Sequence, residues 1–239
     1  MKLRIALIAV TTATLLACSK APAPEPAKPA PQPSASAQNA AEPTDAAPLL
    51  TAGLVEGRDY TEIAEGAQLE TPADQVEVLE FFNYACPACN AFEPMMNNWK
   101  TTLPAYVHVV YAPLDFRPDF VPYARAYYAA LALGISEQSH DAVYAAIHDK
   151  HTLPGEGSPA DAGVIAKFYA QFGAKPEEFS KLMASPEIIA RVAKAREFAM
   201  HAGIHGTPSL VIGGKYVVKG DSWEHVLQNA SQLIAKARG

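Results

Sequence analysis

A buried strand leads into a closely spaced pair of cysteines, and this junction limits the folds that the chain can adopt. Val76–Phe82 reads VEVLEFF, an apolar run of β-prone residues. Cys86 and Cys89 follow after a short connection, with Pro87 between them. Proline suits the first turn of a helix, because the N–H that it lacks would have no partner there. The sequence therefore predicts a strand followed by a helix that begins at Cys86–Pro87.

The order of the remaining elements predicts an α/β protein whose sheet is split by helices. A strand–helix–strand sequence favours a parallel pair of strands. Residues 117–203 show the apolar spacing of helices, interrupted by proline and glycine, and form an insertion between the two halves of the sheet. Gly213-Gly214 predicts a hairpin turn. The later strands and the last helix are expected at residues 106–111, 209–212, 216–218 and 222–237.

The first 49 residues are predicted to lie outside the folded domain, which should occupy residues 50–239. Residues 1–17 join a positively charged start to an apolar stretch and indicate an export signal peptide. Cys18 follows Leu-Leu-Ala, which resembles a bacterial lipobox, where the signal is cleaved before a cysteine that is then acylated. The alternative is an ordinary signal with an incidental cysteine. Residues 18–49, rich in alanine and proline, predict a disordered linker or a tolerated low-complexity tail.

Composition and spacing argue against nucleic-acid binding and against several roles for the cysteine pair. The net charge of −6 gives no reason to expect a nucleic-acid partner. Structural zinc needs four ligands, and His201 and His205 lie too far along the chain to complete a finger, so no metal is expected. Haem attachment requires a histidine where the chain has Asn90. A structural disulfide would close a loop too short to constrain the unfolded chain much.

Thiol–disulfide exchange suits the pair better, because residues i and i+3 of a helix lie on one face. Cys86 is expected to be exposed at the helix N-terminus, where free N–H groups and the helix dipole stabilise a thiolate. Cys89, one turn further on, is expected to be more buried. The sequence therefore predicts Cys86 as the nucleophile, Cys89 as the resolving thiol, and no cofactor besides their disulfide.

A second motif stands just before the returning strand. His205-Gly206-Thr207-Pro208 places a proline where it would normally remove a hydrogen bond of the sheet. A cis Thr207–Pro208 bond at the start of the strand would resolve this conflict, and the alternative is a trans proline at a sheet edge.

The ordered set of Glu80-Phe81-Phe82, the C-P-A-C motif, Gly206-Thr207-Pro208 and Gly213-Gly214-Lys215-Tyr216 resembles the DsbA group, the thiol oxidases of the bacterial cell envelope. This resemblance implies a thioredoxin fold with an inserted helical domain. It also implies that the Cys86–Cys89 disulfide passes to reduced exported proteins and that a DsbB-like membrane quinone reductase restores it. The residues that it places against the substrate are Pro87, Ala88, Thr207 and Pro208.

The chain departs from this family in two ways. Ala88 stands where family members often carry histidine, so the pKa of Cys86 should be less depressed than theirs. Glu80 and Glu93 match two acidic residues under the family's active site, but the next strand lacks the matching lysine. Glu80 is therefore a candidate proton shuttle to Cys89, whereas Glu93 is either a modulator or a solvated helix residue. His205 is a further candidate modulator of Cys86.

These features predict a monomeric periplasmic oxidase, anchored to a membrane through a lipidated Cys18. The alternatives are an envelope disulfide reductase or isomerase of the same fold, and a non-catalytic holdase that uses an apolar groove.

Overall fold

The computed structural model describes residues 53–239, which belong to one compact unit. The predicted signal peptide at 1–17, the lipidated Cys18 and the linker at 18–49 lie outside the described residues. Within the described part of the chain, no helix has the length and apolar character needed to cross a bilayer.

A five-stranded mixed sheet forms the centre of the fold. The strands are β1 (Tyr60–Glu62), β2 (Val76–Phe82), β3 (Val107–Pro113), β4 (Ser209–Ile212) and β5 (Tyr216–Val218). Their spatial order is β1-β5-β4-β2-β3. The pair β2/β3 is parallel, as the strand–helix–strand order predicted, and the other pairs are antiparallel. The sequence analysis missed β1, whose three residues are too few to show a period.

Seven helices surround the sheet in the described part of the chain. They are α1 (Pro87–Lys100), α2 (Val121–Ala132), α3 (Ser136–His148), α4 (Ala162–Tyr169), α5 (Pro176–Met183), α6 (Pro186–His201) and α7 (Trp223–Arg238). Helices α2 to α6 fall inside the predicted insertion at 117–203, which confirms a thioredoxin fold with a helical insertion. Predicted boundaries were less accurate, since α3 begins at Ser136 rather than at residue 141.

The hairpin between β4 and β5 has the predicted turn. Gly213 and Gly214 lie in the loop between the strands with φ angles of 60° and 68°, left-handed values that favour glycine. A Cβ at Gly214 would also clash with the backbone of Ala67, so a larger residue cannot replace this glycine without a shift of the backbone.

Strand β2 is buried on both faces, because helices pack on each side of it. Val76 and Val78 pack in one apolar cluster with residues of α1 and α7. Leu79 and Phe81 pack in a second cluster with residues of the helical insertion. Glu80 alternates with Val78 and therefore lies on the α1 side of the sheet. This arrangement places a carboxyl group inside the protein, on the side of the sheet against which α1 packs.

Candidate active site

Cys86 is the N-cap of α1, and its conformation follows from the local sequence. Its backbone is extended, with φ −79° and ψ 117°, and Pro87 then begins the helix. The Cys86 Sγ accepts a hydrogen bond from the backbone N–H of Cys89 at 3.4 Å. A thiolate at this position faces the free N–H groups of the first turn, as the sequence predicted.

Thr207 and Pro208 lie next to Cys86, although they are far from it along the chain. The Cys86 thiol donates a hydrogen bond to the Thr207 carbonyl oxygen at 3.5 Å. The Thr207–Pro208 peptide bond is cis, and it directly precedes β4, the neighbour of β2 in the sheet. Pairing of β2 with β4 therefore brings the two sequence motifs together.

The two cysteines have opposite acidities. The hydrogen bond from the Cys89 side chain lowers the pKa of Cys86 to about 6, against the opposing effect of burial, and backbone N–H groups of α1 add to the lowering. Burial raises the pKa of Cys89 well above its ordinary value, and the nearby Cys86 raises it further. This difference supports the predicted roles of nucleophile and resolving thiol.

One detail of the cysteine prediction is wrong. Cys86 was expected to be exposed, whereas only 7% of its surface is accessible, because the turn at Thr207 covers the sulfur. Cys89 is fully buried, as expected. The exposed residues at the start of α1 are Pro87 and Ala88.

Glu80 is a buried carboxyl group without a hydrogen-bond partner among the described residues. Its exposure is 0%, and both carboxyl oxygens are unpaired. Burial raises the pKa of Glu80 well above its ordinary value, and the nearby charge of Glu93 raises it further, while Lys100 opposes the increase. The carboxyl is therefore suited to hold a proton at neutral pH.

Glu93 is buried and paired, so the alternative of a solvated helix residue is wrong. Only 3% of its surface is exposed. Tyr111 donates a hydrogen bond to Glu93 Oε1 at 3.4 Å, and Lys100 Nζ lies 3.9 Å from the same oxygen. His140 Nε2 lies 3.4 Å from Glu93 Oε2, at an angle that does not form a hydrogen bond.

Lys100 and His140 are the neighbours of Glu93 that the sequence analysis missed. The family pattern directed attention to a lysine on the next strand, but Lys100 reaches Glu93 from the end of the same helix. The seven-residue spacing from Glu93 to Lys100 could have shown this, since it corresponds to two helical turns. No local signal identifies His140, because its position depends on how α3 packs against α1.

Two other sequence expectations concern metals and His205. No group of three or more metal-ligating side chains occurs within residues 53–239. His205 is exposed, and among the described residues it forms no hydrogen bond with Cys86. The geometry thus joins Cys86, Cys89, Thr207 and Pro208, and leaves His205 outside this group.

Known proteins with a related sequence are thiol:disulfide interchange proteins, which agrees with this geometry. Residues 77–231 match the family model described as a DSBA-like thioredoxin domain. The "Thiol:disulfide interchange protein DsbA" of Pseudomonas aeruginosa is 32% identical over 185 residues, which cover 76% of this chain and 85% of the relative. The protein of the same name from Burkholderia cepacia is 31% identical over 179 residues, which cover 74% of this chain and 81% of the relative.

The solved structures agree with the sequence comparisons. The crystal structure of the oxidoreductase DsbA from Xylella fastidiosa superimposes with a TM-score of 0.72 at 34% identity, covering 77% of this chain and 98% of that one. The chain therefore belongs to the DSBA-like thioredoxin domain family, and it is a thiol:disulfide oxidoreductase.

Proposed function

We propose that the chain is a dithiol–disulfide oxidase, which donates the Cys86–Cys89 disulfide to reduced exported proteins. The observation that carries this proposal is the position of Cys86 at the N-terminus of α1, where its sulfur accepts a hydrogen bond from the Cys89 N–H and its pKa is lowered to about 6. A stabilised thiolate is a good leaving group, and it makes the reduced form of the pair more stable. A disulfide with this property is readily given up, as an oxidase requires.

The exchange proceeds in two steps. A substrate thiolate attacks Cys86 Sγ, the Cys86–Cys89 bond breaks, and Cys89 leaves as a thiolate that takes up a proton. A second substrate thiolate then attacks the substrate sulfur of the mixed disulfide, and Cys86 leaves as a thiolate. Two electrons pass from the substrate to the pair, and a DsbB-like membrane quinone reductase removes them in the next cycle.

The neighbouring residues have supporting roles in this proposal. The exposed Pro87 and Ala88, together with Thr207 and Pro208, border Cys86 and bind the extended backbone of the substrate. Glu80 supplies the proton that Cys89 takes up on leaving, and it accepts this proton when Cys89 attacks. Its buried position on the α1 side of the sheet and its raised pKa support this role.

The cellular setting completes the proposal. Cleavage before Cys18 and acylation of this residue would anchor a monomer to a membrane on its periplasmic side, with residues 18–49 as a spacer. Radiolabelled palmitate incorporation in the cell tests this anchor: wild type should be labelled, and Cys18→Ser should not.

The direction of electron flow is tested by the equilibrium redox potential of the Cys86–Cys89 pair against glutathione. An oxidase should have a potential above about −200 mV, higher than that of the glutathione pool. A potential near the value of thioredoxin, about −270 mV, would instead make the dithiol the active form and the protein a reductase.

A further inference from the structure

The helical insertion contributes a titratable side chain to the layer below the cysteines. His140 of α3 has 7% of its surface exposed, and its Nε2 lies 3.4 Å from Oε2 of Glu93 on α1. Glu93 in turn raises the pKa of the buried Glu80. His140 therefore faces Glu93, and Glu93 in turn affects Glu80, the carboxyl group proposed above to exchange protons with Cys89.

The other nitrogen of His140 has a partner that suits both charge states. Its Nδ1 and the Tyr84 hydroxyl share a hydrogen bond of 2.9 Å. A hydroxyl can donate to a neutral imidazole nitrogen or accept from a protonated one. The imidazole can therefore gain or lose a proton without leaving Tyr84 unsatisfied, while Nε2 keeps facing Glu93.

The surroundings of His140 contain one acid and no cation in direct contact among the described residues. The titratable groups that face it are Tyr84, Glu93, Tyr111, Tyr127 and Tyr144. Burial raises the pKa of each of these four tyrosines, so they stay neutral near pH 7. Glu93 is therefore the charge with which a protonated imidazole would pair.

A cavity lined in part by His140 lies beside this pair. It has a volume of about 520 Å³ and lies between α1, β3 and the insertion. Its ionisable lining consists of His140, Lys100, His108, Glu137, Asp141 and the two tyrosines at 111 and 127. Lys100 Nζ also faces Glu93, 3.9 Å from Oε1, but histidine rather than lysine is the side chain that in general changes its charge between pH 5 and 8.

We propose that His140 is a positioning residue of the disulfide exchange, which faces Glu93 as an ion-pair partner and so sets the charge next to the Glu80 carboxyl. This inference rests on the role proposed above for Glu80. When His140 is protonated, it offsets the negative charge of Glu93, and Glu80 can then ionise and accept the proton of Cys89. Without that cation, Glu80 holds its own proton more strongly and accepts the Cys89 proton less readily.

The step to observe is the attack of Cys89 on a mixed disulfide. Reduced protein is mixed with oxidised glutathione: the Cys86 thiolate first forms a mixed disulfide and releases glutathione thiolate. Cys89 then passes its proton to Glu80 and attacks Cys86 Sγ, and a second glutathione leaves as a thiolate that takes a proton from water. Rapid acid quenching and mass spectrometry follow both steps at pH 5.5 to 9.

Two uncharged variants keep different parts of the His140 contacts. His140→Gln retains an amide that reaches towards Glu93, and His140→Asn retains one close to the Tyr84 hydroxyl. We expect each variant to slow the second step about tenfold at pH 7. The midpoint of the pH–rate profile of this step should move upward by about one pH unit, which corresponds to the same tenfold change. The first step should keep its rate and its pH dependence. Either variant alone is sufficient if the other does not fold.

His148→Gln is the matched control, because His148 lies on the same helix and its Nε2 contacts the Tyr84 carbonyl oxygen at 2.8 Å, but it does not pair with Glu93. It should leave both steps unchanged. In a Glu93→Gln background, His140→Gln should have no further effect, since the charge through which it acts is gone.

The results separate this inference from the role of Glu80. If Glu80→Gln slows the second step and the His140 variants do not, His140 has no part in the exchange and the role of Glu80 stands. If Glu80→Gln leaves the second step unchanged, the role of Glu80 is wrong and the inference falls with it. An equal slowing of both steps by the His140 variants would indicate a general structural defect and would also overturn it.

Discussion

Cys86 and Glu80 both lose most of their contact with water when the chain folds, but the fold shifts their acidities in opposite directions. Cys86 has 7% of its surface exposed, and its pKa is lowered to about 6. Glu80 has 0% exposed, and its pKa is raised well above the ordinary value. The first acid favours its charged form at neutral pH, whereas the second favours its neutral form.

The difference comes from the hydrogen-bond donors that each group meets. The Cys86 sulfur lies at a helix N-terminus, where the Cys89 thiol and backbone N–H groups point at it and outweigh the cost of burial. Neither Glu80 oxygen has a donor among the described residues, and the negative charge of Glu93 affects its pKa more than the positive charge of Lys100 does. Burial alone therefore does not determine acidity, because donors at the site decide which protonation state is stabilised.

The largest expected effect comes from removing the acidic thiol itself. Cys86→Ser should reduce the oxidation of a two-cysteine peptide to the uncatalysed rate, because no other described sulfur lies at the helix N-terminus. Cys89→Ser should still react with oxidised glutathione but should accumulate the mixed disulfide, which mass spectrometry detects. A Cys86→Ser variant that still forms a glutathione adduct on Cys89 at the wild-type rate would contradict the assigned order.

Glu80→Gln should make the reduced protein more stable at neutral pH. The folded state holds the Glu80 proton at pH values where the unfolded chain has already released it, above about pH 4. Stability is therefore lost as the pH rises from there towards the folded pKa, and glutamine does not titrate. The quantity to compare is the free energy of unfolding of the variant minus that of wild type. We expect this difference to be roughly 1–3 kcal/mol more favourable to the variant at pH 7 than at pH 4.

Urea unfolding at pH 4, 5.5 and 7 measures this gain. Glu197→Gln is the matched control, because it removes the same charge from an exposed position on α6. It should change stability little at any of these pH values. Equal pH dependence of the Glu80 and Glu197 variants would show that burial does not raise the pKa of Glu80 as described.

A smaller change is expected from adding a donor beside Cys86. Ala88 is exposed at the start of α1, so a larger side chain can be accommodated there. Ala88→His should lower the pKa of Cys86 further, by about one unit, since an imidazole adds a hydrogen-bond donor and positive charge near the sulfur. Thiolate absorbance at different pH values measures the shift, and Ala88→Gln, which adds a donor without charge, separates the two contributions. Identical titration curves for Ala88→His and wild type would contradict the prediction.

The sequence revealed the parts of the site that depend on local structure. Pro87 after a strand marks the helix start, and the position of Pro208 before β4 marks the turn that meets it, so both motifs could be found without coordinates. Strand pairing of β2 with β4 then brings them together. The charge partners of Glu93 depend instead on packing between separate elements. His140 carries no motif, and only the placement of α3 against α1 identifies it.

His205 should have the smallest effect on the pKa of Cys86, because it is the candidate donor that forms no hydrogen bond with the Cys86 sulfur. It is exposed in the turn before Thr207, and among residues 53–239 it forms no hydrogen bond with the Cys86 sulfur. An exposed imidazole acts through water and salt, which weaken its effect on a thiolate that it does not contact. His205→Ala should therefore move the pKa of Cys86 by less than about 0.3 units, within the usual small effect of surface charges. Thiolate absorbance in low and high salt checks this, with Ala88→His as the positive control. A larger shift that disappears at high salt would mean that the charge of the His205 imidazole acts on Cys86 without a hydrogen bond. Donors in contact with the sulfur would then be only part of what lowers the pKa of Cys86.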